Sequence, residues 1–163
     1  MKKVLVVMGS DSDLKVMEKC VDRLKSFDIP VEVRICSAHR TPAVAEQLAK
    51  NAAEEGFGVI IAAAGKAAHL GGVLAAYTTL PVIGVPMATS VMGGMDSLLS
   101  IVQMPKGIPV ATVAIDGADN AAILAAQMIA LSDEALAEKL AQFKADMAAE
   151  VTAKDEKVRA QFA

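Results

Sequence analysis

The sequence predicts an α/β protein: a parallel sheet covered by helices on both faces, followed by a helical extension. Three observations lead there. Short apolar runs alternate with stretches of helical period along most of the chain. Runs such as FGVIIAAAG are apolar at every position, as strands buried on both faces require. The 163 residues are 54% hydrophobic but only 3% aromatic. That suits one domain, spanning 1–163, with a core of Ala, Val, Ile, Leu and Met.

KVLVVM is the first strand, short and β-branched. DLKVMEKCVDRLKSF follows as a helix with Leu14, Met17, Val21 and Leu24 on one face. VEVRIC is the second strand. TPAVAEQLAKNAAEEG is the second helix, with Thr41 as N-cap, Pro42 at the first helical position and Gly56 as the stop. FGVIIAAAG is the third strand, and KAAHLGGVLAAYTT a weaker, glycine-broken helix. LPVIGVP is the fourth strand and MDSLLSIVQM a short helix. IPVATVAI is the fifth strand, and ADNAAILAAQMIAL the helix after it. From Ser132 the composition changes. Leu136, Leu140, Phe143, Met147 and Val151 form one apolar stripe on a charged helix within 131–163. That stripe can pack on its own domain or in an oligomer.

Composition excludes several classes. The net charge is −3 with no basic patch, which argues against a nucleic-acid reader. The opening MKKVLVVMGSDSD lacks the long apolar segment of a signal peptide. No uninterrupted apolar run approaches the roughly 20 residues of a membrane span. Cys20 and Cys36 are too few for a disulfide framework and read as reduced thiols of a cytoplasmic protein. From Ala67 to Ile115 the only formal charges are Asp96 and Lys106. So uncharged a stretch predicts burial against other subunits.

Crossovers between parallel strands are right-handed, so the strands' C-terminal ends share one edge, where open α/β sheets bind ligands. Four stretches lie at that edge. MGSDSD follows the first strand: Gly9 allows a tight turn, and the helix start after it favours an anion. Ser10 and Ser12 offer hydroxyl donors, and Asp13 suits a ribose hydroxyl. The competing reading is a capping box with Ser10 as N-cap. SAHRTP follows the second strand. A helix N-terminus and the neighbouring Arg40 both disfavour the imidazolium of His39, which a proton shuttle needs neutral. Arg40 offers a planar fork for phosphate or carboxylate. The alternative is an ordinary loop histidine beside a surface arginine. AAAGKAAHLGG follows the third strand, where small residues let a ligand approach the backbone; His69 there is otherwise a packed helix histidine. The loop GVPMATSVMGG follows the fourth and is either a shaped functional loop or a plain connection. His39 and His69 lack a third partner for a metal.

MGSDSD, SAHRTP, AGKAAHL, GVP, MDSLLSIVQMPKGIPVATVAI and NAAILAAQ together resemble the class I PurE family over roughly Val4 to Leu131. SAHRTP with DSLLSIVQMP is the specific part. The resemblance implies a three-layer αβα, flavodoxin-like fold that assembles as an octamer with active sites at subunit junctions. It implies an N5-carboxyaminoimidazole ribonucleotide mutase of purine biosynthesis, working on a small ribonucleotide without metal, ATP or biotin. By motif match, Ser10, Ser12, Asp13, Ser37 and Arg40 would hold the ribose phosphate. His39 would transfer the proton, and Ala64, Gly65 and His69 would sit by the migrating carboxylate. Many members read GAGGAAHLPG at the third site, so Lys66 stands for a glycine and Gly71 for a proline. Gly71 is expected to loosen that loop. The class II branch carries a different third-site motif, and AAHL points to class I. The competing functions are a direct aminoimidazole ribonucleotide carboxylase and a non-catalytic binder of phosphoribosyl ligands.

Overall fold

A computed structural model describes residues 1–163. Five strands form one all-parallel sheet in the order β2-β1-β3-β4-β5. They are β1 (Lys3–Met8), β2 (Val31–Ile35), β3 (Phe57–Ala64), β4 (Val82–Pro86) and β5 (Ala111–Thr112). The helices are α1 (Leu14–Ser26), α2 (Pro42–Asn51), α3 (Leu70–Tyr77), α4 (Met95–Val102), α5 (Ala118–Ala130) and α6 (Glu134–Gln161). The three-layer, flavodoxin-like arrangement follows from the two-residue period of the strands. Val4, Val6 and Met8 face one way and pack with Met17, Cys20 and Leu24 of α1 and the alanine face of α5. Leu5 and Val7 face the other way and pack with Ala45 and Ala49 of α2, Leu74 of α3 and Ile101 of α4. Two cores, one sheet between them, explain why the central strands are apolar throughout.

Small residues set how closely the layers approach. A Cβ on Gly84 of β4 would lie 2.3 Å from Ile101 Cγ2, so only glycine lets α4 settle this near the sheet. The alanines of α5 do the same on the other face, where α5 is buried at six positions.

Several boundaries differ from the sequence expectation. β5 is expected over Ile108–Ile115 but pairs only at Ala111–Thr112. It is an edge strand, and Pro109 has no N–H to offer a ladder. The chain still follows β4, since Val113 N donates to Gly84 O and Asp116 N to Pro86 O. α3 starts at Leu70 rather than Lys66, because Lys66 takes a left-handed conformation at φ 58°. Gly71 lies not in the loop but in the first turn of α3, where it is buried. Thr41 stands at the N-cap of α2 but does not cap it. Its hydroxyl accepts from Ser37 N and donates to Ser37 O, bracing the preceding turn. Gly56 does end its segment, at φ 89°.

α6 begins at an Asp133 cap, whose Oδ1 accepts from Leu136 N. Leu136 is fully buried, and Leu140 and Phe143 pack against the same core. Phe143 meets Phe27 edge-on at 5.5 Å, with the Arg23 guanidinium 4.8 Å from its ring and paired to Asp119. Beyond that anchor the stripe runs into solvent, with Met147 and Val151 exposed. No helix is long and apolar enough to cross a membrane.

Candidate active site

The C-terminal ends of β1, β2, β3 and β4 open into one cleft of about 570 Å³. All nine residues expected at the site line it. Ser10, Ser12 and Asp13 come from the turn after β1, and Ser37, His39 and Arg40 from the turn after β2. Ala64, Gly65 and His69 come from the segment between β3 and α3.

The first wall is an anion cradle in form. Ser10 caps the short 3₁₀ turn Asp11–Asp13, its hydroxyl accepting from Ser12 N at 3.3 Å. The hydroxyl's own hydrogen goes to Asp11 Oδ1 at 3.2 Å, so donation to an anion would require that exposed bond to be exchanged. Arg40 is fixed from two sides. Its Nη2 donates to Gly9 O and its Nε to Ser37 Oγ, both at 3.2 Å, and its backbone N–H donates to the same hydroxyl. The remaining guanidinium donors stay free for a ligand. Asp13 is half-buried, and its carboxyl pKa is raised. Burial is the main cause; Asp116 and Asp11 add to it, and bonds from the Ser12 hydroxyl and the Ser10 backbone oppose it.

The second wall holds what the sequence did not foretell. His39 Nε2 lies 2.9 Å from His69 Nδ1, with the rings perpendicular and their centroids 5.0 Å apart. One of these nitrogens carries the shared hydrogen and the other accepts it. The remaining nitrogen of each ring makes no hydrogen bond within the chain and is open to a ligand. His69 is thus not a packed helix histidine; it stands at the N-cap of α3 with its ring in the cleft.

The third wall is the segment after β4. Met87, Ala88, Thr89 and Ser90 line the cleft, although only the glycines and prolines of this stretch marked it in the sequence. Asp116 Oδ1 accepts from Ala88 N at 2.9 Å. Thr89 Oγ1 donates to Asp96 Oδ1 at 2.7 Å and accepts from Gly94 N. Gly94, at φ 99°, turns the chain into α4. Beneath the cleft, Ser97 is the one buried polar residue, and its Oγ accepts from Lys66 N at 2.9 Å. Lys66 lines the cleft as well.

A family model described as AIR carboxylase matches residues 3–150. The N5-carboxyaminoimidazole ribonucleotide mutase of Methanocaldococcus jannaschii is 52% identical over 159 residues, covering 98% of this chain and 99% of its own. The mutase of the same name from Thermotoga maritima is 52% identical over 158 residues, covering 97% and 92%. That of Mycobacterium tuberculosis is 54% identical over 153 residues, covering 94% and 88%. The crystal structure of Treponema denticola PurE matches with a TM-score of 0.85 at 30% identity, covering 94% of this chain and 96% of that one. Fold, cleft and sequence agree: the chain belongs to the AIR carboxylase (PurE) family.

Proposed function

We propose that the chain is an N5-carboxyaminoimidazole ribonucleotide mutase of purine biosynthesis, an isomerase that moves a carboxylate from the exocyclic amine to ring carbon 4. The observation that carries the reading is a paired histidine facing an arginine–serine cradle in one cleft. The family relationship supplies the substrate: relatives named for this activity match along nearly the whole chain.

The chemistry balances within that cleft. The bond between the exocyclic nitrogen and the carboxylate carbon breaks, leaving carbon dioxide, and the nitrogen gains a proton. Ring carbon 4 then attacks the carbon dioxide and loses its own proton. The net change is one carboxylate shifted one way and one proton shifted the other, with no oxidant or phosphoryl donor consumed. Such a step needs one group that gives a proton at one position and takes it at another, and it needs carbon dioxide kept from escaping. We assign the proton to His39, whose Nδ1 has no partner within the chain while His69 is hydrogen-bonded to its Nε2. Ser10, Ser12, Asp13, Ser37 and Arg40 take the ribose phosphate; Ala64, Gly65 and His69 take the carboxylate.

We further infer a cytoplasmic homo-oligomer, an octamer by family resemblance. Met92, Met95, Leu99 and Val102 form an exposed apolar stripe along α4 and the turn before it, and the distal half of α6 extends the exposed apolar surface. Surfaces of this kind mark association sites. Cys20 and Cys36 are buried free thiols, in keeping with a reducing compartment, and recovery of the activity in the cytosolic fraction tests that placement.

The decisive experiment follows the ultraviolet absorbance of 4-carboxy-5-aminoimidazole ribonucleotide with wild type and with His39→Asn. Loss with wild type alone supports both the reaction and the histidine's role. Equal rates would remove His39 as proton carrier. Turnover that depends on added bicarbonate in the synthetic direction would indicate direct carboxylation instead.

A further inference from the structure

Three residues other than glycine adopt a left-handed backbone: Asp28, Lys66 and Asp116. Aspartate tolerates this region better than most residues, and lysine has no such advantage. The two aspartates also have partners for their side chains. Asp28 Oδ2 accepts from Lys139 Nζ, and Asp116 Oδ1 accepts from Ala88 N. Lys66 differs. Its backbone is held by α4, its N–H donating to Ser97 Oγ at 2.9 Å and its carbonyl 3.3 Å from Ser100 Oγ, whose hydrogen is shared with Asp96 O at 2.6 Å. Its side chain enters none of the five ion pairs of the chain. A glycine at φ 58° would make the same two backbone bonds without strain. What the lysine adds is a cationic side chain on a residue that lines the cleft.

Charge placement indicates what that ammonium meets. Among the residues that line the cleft two are cationic, Arg40 and Lys66, and one is acidic, Asp13. Arg40 is fastened between the ends of β1 and β2, through Gly9 and Ser37. Lys66 follows the end of β3, next to Gly65 and three residues before His69. A carboxylated ribonucleotide carries two anionic ends, the phosphate and the carboxylate. With Arg40 committed at the serine cradle, the second cation falls at the histidine end.

We propose that Lys66 is a substrate-binding residue that pairs with the carboxylate of the nucleotide, an assignment that rests on the mutase reading above. Strain at a functional position is retained where the side chain has work there, and a cation at this point offsets the charge of the migrating group.

The test measures binding by calorimetry of two probes, 4-carboxy-5-aminoimidazole ribonucleotide and 5-aminoimidazole ribonucleotide, which differ only by the carboxylate. Lys66→Gln should weaken the carboxylated probe about tenfold, as loss of one charge-assisted bond in an open cleft does. It should leave the other probe within about twofold, and KM should rise more than kcat falls. Lys66→Arg should restore most of the affinity. Lys66→Gly should lose affinity as Lys66→Gln does yet melt at a higher temperature, which rules out misfolding as the cause. Equal weakening of both probes would overturn the proposal in favour of a phosphate contact, and no weakening of either would overturn it outright. Wild-type enzyme that binds but does not convert the carboxylated probe would bring down the mutase reading. Wild-type turnover with an unaffected Lys66→Gln would bring down this assignment alone.

Discussion

Replacing His69 by asparagine separates orienting a proton carrier from being one. The two rings share a single hydrogen bond of 2.9 Å, and both residues are solvent-exposed. A hydrogen bond between neutral groups contributes about 0.5–1.5 kcal/mol net. At about 1.36 kcal/mol per decade, its loss slows turnover roughly two- to thirteenfold if His69 only holds His39 in place. Losing the acid–base group itself costs on the order of 10²–10⁴ in rate. His69→Asn should therefore remain about one to three and a half decades more active than His39→Asn. With nucleotide saturating, so that the part of His69 in holding the carboxylate does not limit the rate, the double variant should be no worse than His39→Asn alone, because an orienting ring has nothing left to orient. The assay is loss of 4-carboxy-5-aminoimidazole ribonucleotide absorbance at saturating nucleotide, with melting temperatures recorded for all three variants. If His69→Asn falls as far as His39→Asn while its Tm is unchanged, His69 handles the proton directly and the division of roles proposed here is wrong.

Two further outcomes follow from the same structure. Burial raises the folded-state pKa of Asp13, so the folded chain holds that proton more tightly than the unfolded chain. The associated stability is present below the unfolded value of about 3.9 and is lost as pH rises through the raised folded value. At pH 7 the ionised carboxylate is thus a net cost, and Asp13→Asn should raise Tm there, with the gain fading toward pH 4 and activity reduced. A lower Tm at pH 7 would contradict this. Light scattering should give wild type a mass that is a multiple of 16.9 kDa, and Leu99→Glu, on the exposed stripe of α4, should reduce it; a monomeric wild type would sink the assembly proposal.

What the sequence disclosed and what it hid divide along physical lines. β1 and β3 were legible because both of their faces are buried, so no polar residue interrupts them. β2 was legible from its β-branched residues, although as an edge strand it leaves Val33 and Ile35 exposed. The start of α3 was hidden because nothing in KAAHL announces that Lys66 leaves the helical region; the cause lies in α4, through Ser97 and Ser100 some thirty residues on. The same limit applies to Thr41, whose composition suits an N-cap but whose hydroxyl is drawn to Ser37. The nine residues expected at the site line the cleft because each lies at or just after a strand end, a place that the strand pattern alone marks. The pairing of His39 with His69 was not legible, since it depends on which strands are neighbours.

That pairing follows from topology once the order β2-β1-β3 is known. From β1 the chain moves outward to β2, then crosses back to place β3 on the other side of β1. α1 consequently packs on one face of the sheet and α2 on the other. The loops leaving β1 and β3 diverge to opposite faces, which opens a crevice at this reversal of strand order. β2 and β3 are each one strand spacing from β1, so their ends lie about 10 Å apart. Two imidazoles reaching inward from those ends can close that gap, and between them β1 ends in Gly9, which has no side chain to fill it. His39 and His69 meet because the fold reverses at β1, and the same reversal brings the Ser10 turn, the Arg40 fork and Gly65 to the crevice. One feature of connectivity in this way gathers the ends of β1, β2 and β3 around one crevice, and the segment after β4 completes its lining.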